Sequence, residues 1–226
     1  VRGKSQENKR MKFIPFLLSA CAVVLFSSAN AQSSQEILDQ LSKKAKNYET
    51  VHATYSSRLI DKVNDIDQSQ DGEVYVKGDK YNLELGDYVM VTDGETIWTY
   101  DRSTNDCYVD YLSDVSADEA ITPSKMFTVW EQDFKNEFKE TLQENGRSLY
   151  WVNLYPNDPA DKPFHTIQLY IDKQKMEVVR FVVKGREGND IIYKVKSFET
   201  NTSLPDNVFR FDKNKYPGVN VIDNRI

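Results

Sequence analysis

The sequence predicts a mainly β protein of the α+β class, built on a single curved antiparallel sheet of about ten or eleven strands, an unclosed barrel. Three observations predict it. Gly72–Asp101 reads as strands joined by tight turns: Val74 and Val76 alternate with Glu73, Tyr75 and Lys77, and Tyr81, Leu83 and Leu85 alternate with Lys80, Asn82 and Glu84. The same period-two pattern, bounded by Gly, Asp and Asn, recurs almost to the C-terminus. Only two segments carry helical spacing, and no internal repeat or low-complexity tract interrupts the strands.

In chain order, residues 1–10 precede Met11 and are set aside. From Met11 the chain reads as an export signal: Lys12 is the charged start, Phe13–Phe26 the apolar stretch, and Ala29-Asn30-Ala31 an A-x-A cleavage site. The apolar stretch is shorter than the roughly 20 residues a spanning helix needs, which argues against a membrane anchor. Leu18-Ser19-Ala20-Cys21 offers a second reading, lipidation of Cys21. However, only about five apolar residues precede Leu18 and an apolar run follows Cys21, the reverse of the usual lipoprotein arrangement. The expected organisation is therefore 1–31 as extension and leader, and 32–226 as one domain, large enough for a real core.

Ser33-Ser34-Gln35-Glu36 has the S-x-x-E spacing of a capping box, and Ile37, Leu38, Leu41, Ala45 and Tyr48 follow at helical intervals. Lys43, Lys44 and Lys46 suit the C-terminal end of that helix. Val51–Ile60 alternates as a strand, and Asp61–Asp71 reads as a polar hairpin connection. A calcium loop starting at Asp65 fails, because Gln70 stands where Gly is required and Val76 where Glu is required. Asp106–Leu112 is the next strand after Thr96–Asp101. Thr122-Pro123 then opens a helix, with Met126, Phe127, Trp130 and Phe134 on one face through Asn136. Strands resume at Phe138–Gln143, Arg147–Tyr155, Phe164–Asp172, Lys175–Lys184 and Asn189–Glu199, with Leu204–Phe211 and Tyr216–Ile222 closing the chain.

Charge and chemistry narrow the function. The net charge is −6, and the first 31 residues hold five of the basic side chains (Arg2, Lys4, Lys9, Arg10, Lys12) against Glu7, so the exported part is more acidic still. Such a protein is a poor ligand for nucleic acid or anionic membranes. Cys107 is the sole cysteine after residue 31, which rules out an internal disulfide in that part. His52 and His165 are far apart in sequence and belong to no metal-spaced cluster. No G-x-S-x-G elbow, P-loop or dinucleotide fingerprint is present. The reading is a binding protein without enzyme activity or cofactor; an exported hydrolase using a carboxylate pair is the alternative outside that class.

Several motifs together resemble one family. Gly72-Glu73-Val74-Tyr75-Val76-Lys77 is similar to the G-x-L-W-V-K strand of the periplasmic outer-membrane lipoprotein carriers, the LolA family. Asp93-Gly94-Glu95-Thr96-Ile97-Trp98-Thr99-Tyr100-Asp101 resembles that family's D-G-x-x-L-W-x-Y pattern. Thr122-Pro123, Phe209-Arg210-Phe211 and Pro217-Gly218-Val219-Asn220-Val221 match its mid-chain helix start and its ending. The resemblance implies helices packed as a lid over the concave face of the sheet, closing a cavity for the acyl chains of lipoproteins. It also implies an inner-membrane ABC-type exporter as donor and, at the outer membrane, a receptor or the membrane itself as receiver, with the carrier acting as a periplasmic monomer. A lipid- or lipoprotein-sensing regulator of the same fold is the alternative within the class, although such regulators carry a second domain.

Expected cavity residues are Tyr81, Leu83, Trp98, Tyr100, Ile167 and Leu169 from the sheet, with Met126, Phe127 and Trp130 from the lid. Family members carry an Arg-Pro after the first motif's Lys that helps couple lid to release. Here the segment is Lys77-Gly78-Asp79-Lys80, leaving Lys77 and Lys80 as the latch residues. Lysine lacks the planar fork of arginine, so the exchange is not neutral.

Overall fold

A computed structural model of the chain describes Gly3 and residues 33–115, 128–131, 133–160 and 162–225. Contacts divide the chain into two units, Val1–Ala31 and Gln32–Ile226; every element below belongs to the second. Helix α1 (Ser34–Ala45) starts as its sequence demands. The Ser33 hydroxyl accepts from the Glu36 amide at 3.1 Å, and the Glu36 carboxylate accepts from the Ser33 amide at 3.1 Å. This reciprocal bond satisfies two donors that the helix start leaves unpaired.

Among the described residues twelve strands follow: β1 (Val51–Asp61), β2 (Ile66–Lys77), β3 (Lys80–Leu85), β4 (Tyr88–Thr92), β5 (Thr96–Asp101), β6 (Asp106–Tyr111), β7 (Phe134–Glu144), β8 (Arg147–Pro156), β9 (Phe164–Asp172), β10 (Glu177–Gly185), β11 (Asn189–Thr200) and β12 (Asn220–Asp223). They form one sheet in the order β12-β6-β5-β4-β3-β2-β1-β11-β10-β9-β8-β7. The two end strands do not pair, so the sheet is an unclosed barrel. All neighbours are antiparallel except β12, which lies parallel to β6.

The structure corrects four expectations. The expected mid-chain helix lies partly outside the described residues, since 116–127 and 132 are not described. Its expected end is not helical: Val129–Glu131 is a single 3-10 turn, and Phe134 opens β7. Trp130, Phe134 and Phe138 are four apart, and four residues fit a helical face and a strand face alike, so pairing with β8 decides. Second, β2 begins at Ile66, inside the segment read as a polar connection. Its first half is polar because it is largely exposed; it pairs with β1 throughout, and Arg58 grips Asp67 at 2.5 Å. Third, Leu204–Phe211 is not a strand. It contains a 3-10 turn, Asp206–Phe209, and forms a strap across the sheet. Fourth, the closing strand is β12, shorter than expected and parallel to its neighbour.

The two faces of the sheet carry different cores. On the concave face, Tyr150, Val152, Leu154, Ile167, Leu169 and Ile171 of β8 and β9 take up Ile37, Leu38 and Leu41 of α1. Val51, Ala53, Val74, Val76, Tyr81 and Ile97 continue this face through β1–β5. On the opposite side, Val89, Val91, Cys107 and Val109 lie beneath the C-terminal strap, against Phe211, Tyr216 and Val219. Burial pushes the Cys107 thiol up to about 11, as expected for a packed side chain instead of a reactive one. Among the described residues, no helix is long and apolar enough to cross a membrane.

Candidate functional site: an apolar cavity beneath the helix

Helix α1 covers only part of the concave face. Its stripe is fully buried at Ile37 and Leu38. Further along, Leu41, Ala45 and Tyr48, just past the helix end, look into open space. This cavity measures about 260 Å³, close to the lower end of ligand pockets at about 300 Å³. Its floor comes from the sheet: Ala53 and Tyr55 of β1, Val74 of β2, Leu83 of β3 and Met90 of β4. The far wall is Ile167 and Leu169 of β9, with Phe181 and Tyr193 of β10 and β11. Trp130 and Val129 close one side.

Local sequence explains why the space is unfilled. Ala45 and Ala53 are small. The β1–β11 register shifts between Thr54 and Tyr55, and Tyr55 then stands opposite Gly72. A Cβ on Gly72 would lie 2.4 Å from the Tyr55 ring, so only glycine lets that ring lie down on the sheet. Phe181 stacks on Tyr193 at 4.5 Å, and Tyr193 tilts against Tyr55 at 6.0 Å. These aromatic rings give the floor rigid, apolar walls. Burial, then the neighbouring Tyr193, drives the Tyr55 phenol well above its ordinary range. Burial and the charge of Glu177 push Tyr48 up to about 12, so both phenols stay neutral.

Polar bonds pin the helix over the cavity. Lys44 of α1 donates to Glu177 at 2.7 Å and to the Lys175 carbonyl at 2.6 Å. The Trp130 indole N–H donates to the Ser42 hydroxyl at 2.7 Å, both groups buried. Lys46 pairs with Glu131 at 3.1 Å, and Asn136 donates to Gln35 at 2.9 Å. Replacing Trp130 with Phe keeps an aromatic ring and removes that donor. The expected loss is about 1 kcal/mol of stability in urea unfolding.

Ser42 first, then Lys46, hold the Glu131 carboxyl below its ordinary value of 4.5. A depressed folded pKa contributes stability that is present above the ordinary value and lost as pH falls through the folded one. The melting temperature of the Glu131→Gln protein should therefore lie below that of the parent at neutral pH. The two should converge as pH drops beneath the ordinary carboxylate range, and a constant gap down to acid would show that Glu131 makes no such contribution.

Of the residues singled out from the sequence, Leu83, Trp130, Ile167 and Leu169 meet around this cavity. Tyr81 shares the face but is packed in the core beside it. Trp98 and Tyr100 lie on the opposite face, where Tyr100 donates to Asn105 at 2.9 Å and packs on Phe211 and Tyr216. Met126 and Phe127 lie outside the described residues. Lys77 and Lys80 both reach Asp206 of the strap, at 3.0 and 3.7 Å, so their partner is on the far side of the sheet from α1. Tyr55, Met90, Phe181 and Tyr193 line the cavity without having been singled out. The signal available for Phe181 and Tyr193 was their cross-strand pairing, which emerges only once the β10–β11 register is known. Among the described residues, no group of His, Cys, Asp or Glu could hold a metal ion. His52 instead pairs with Glu73 at 2.8 Å and stacks on Tyr75.

The architecture is thus an unclosed, mostly β half-barrel with a helix over an apolar hollow. Residues 46–212 match the family model described as "Outer membrane lipoprotein carrier protein LolA", and the chain belongs to that family. No curated protein matches it. A conserved uncharacterised protein of Thermus thermophilus superposes with a TM-score of 0.55 at 16% identity, covering 84% of this chain and 98% of that one, which shows a shared fold. A LolA superfamily protein of Nitrosomonas europaea gives 0.41 at 11% identity, with coverage of 79% and 98%. The MucA/MucB complex of Pseudomonas aeruginosa gives 0.38 at 11%, with coverage of 78% and 60%.

Proposed function

We propose that this protein is a periplasmic carrier that shelters the acyl chains of lipoproteins and moves them from the inner to the outer membrane. It acts by binding, as a monomer and without catalysis. It receives cargo from an inner-membrane ABC-type exporter and hands it to a receptor, or to the membrane itself, at the outer membrane. The observation that supports this reading is the apolar cavity of about 260 Å³ beneath α1. The magnitude explains the need: each CH₂ moved out of water is worth ~0.8 kcal/mol, so a ~16-carbon chain left in water costs on the order of 12 kcal/mol. A hollow lined by aromatic side chains and Met90 offsets that cost and adapts to chains of differing length.

The test is to purify the protein from a bacterial periplasm, extract it, and identify what co-purifies by mass spectrometry. Acylated peptides or lipids are expected, and an apolar dye should bind and be displaced by acyl competitors. A ligand-free protein that binds no dye would remove the carrier reading, and turnover on a panel of ester or amide substrates would point to the hydrolase instead.

A further inference from the structure

The cavity ends at Met90, and among the described residues β5, β6 and β12 contribute nothing to its lining. The concave face nevertheless continues past it. In the strand register Met90 faces Thr99, Thr99 faces Tyr108, and Tyr108 faces Ile222. In the next row Tyr88, Asp101 and Asp106 stand abreast, and on the other side Ile97 stands beside Asp110. Tyr88 and Tyr108 are 52% and 40% exposed, unusual for large rings on the inner side of a sheet. The wing is thus two open tyrosines between three carboxylates, continuous with the cavity through Met90.

Among the described residues, those carboxylates have only neutral partners. Asp101 accepts from the Ser103 amide and hydroxyl, Asp106 from Asn220, and Asp110 from Asn224. Two arginines at this end of the sheet are engaged elsewhere, Arg102 with Glu84 and the Gly86 carbonyl, and Arg225 with Asp223. Among the described residues no Lys or Arg pairs with Asp101, Asp106 or Asp110.

We infer that this wing docks the polypeptide that follows the acyl chains of the cargo, and that it favours cargo whose first residues include Lys or Arg. The inference rests on the carrier reading and names which cargo that site prefers. Met90 and Tyr108 are two strands apart, about 10 Å. An extended chain spans that distance in about three residues, so the segment involved is the one next to the acylated residue. A basic side chain there can lay its apolar stem along Met90 and its cation over an open tyrosine face, with a carboxylate alongside.

The experiment uses three ligands with the full chain: palmitate, and two peptides palmitoylated at the N-terminus, one with Lys and Arg in its first residues and one with Glu and Ser there. The basic peptide should bind about tenfold more tightly than the acidic one in low salt, with the gap closing at ~0.5 M salt. The triple substitution Asp101→Asn, Asp106→Asn, Asp110→Asn keeps an accepting oxygen at each position. It should close the gap at low salt and leave palmitate affinity unchanged, which also shows that the variant is folded. Equal affinities, or a gap that survives the triple substitution or high salt, overturns the inference while the carrier reading stands. Failure of palmitate itself to bind overturns both. If the triple variant does not fold, the salt dependence of the unsubstituted protein decides.

Discussion

The Leu83→Trp protein should fold and melt like its parent yet take up no apolar ligand. Leu83 is only half-buried and stands on the cavity floor, between Val74 and Met90 in the strand register. Overpacking a filled core costs about 1–3 kcal/mol. Here the indole has open space to enter, so the cost is at the low end or absent. It would take the volume an acyl chain needs, and at about 260 Å³ there is little to spare. Dye titration and mass spectrometry of the co-purified lipid measure the outcome: affinity should fall at least about tenfold, the equivalent of roughly 1.4 kcal/mol. Full retention of dye binding alongside an unchanged melting temperature would place the ligand somewhere other than beneath α1.

The largest loss of stability is expected at the opposite face. Phe209 is fully buried at the end of the strap's 3-10 turn. Truncating such a ring to alanine costs about 3–5 kcal/mol, a large share of the roughly 5–15 kcal/mol a folded protein holds. The strap's other attachments are lighter. Asn82 donates to the Val208 carbonyl at 2.8 Å, Lys77 and Lys80 meet Asp206, and Tyr216 stacks on Phe211 at 5.0 Å. The ion pairs are exposed and worth little, so they cannot compensate. Urea unfolding of Phe209→Ala should show the drop in midpoint, and ligand affinity of the folded fraction should remain, because the strap and the cavity lie on different faces. A midpoint within experimental error of the parent would mean that the strap contributes nothing to holding the sheet. The two substitutions thus separate the ligand site from the fold: one acts on the cavity alone, the other on stability alone.

Much of the strand map was legible from residue order because period two and turn chemistry are local. Asp93-Gly94 turns β4 into β5 where the sequence says it should, and the capping box at Ser33 and Glu36 forms as its spacing requires. The site was legible only in part. Leu83, Trp130, Ile167 and Leu169 meet at the cavity, while Trp98 and Tyr100, equally aromatic and equally alternating, pack under the strap. Nothing in their local pattern tells the two sets apart. Phe134 shows the same limit for element type, since a spacing of four satisfies helix and strand together.

By itself, then, the sequence determined the alternation, the turns, the helix cap and the family motifs, all of which depend on neighbours within a few residues. Tertiary structure alone decided which face of the sheet bends inward, because curvature arises from twist and pairing across all twelve strands. It also decided what covers each face. The helix and Trp130 cover the side that stays hollow, and the strap ending in β12 covers the side that packs solid.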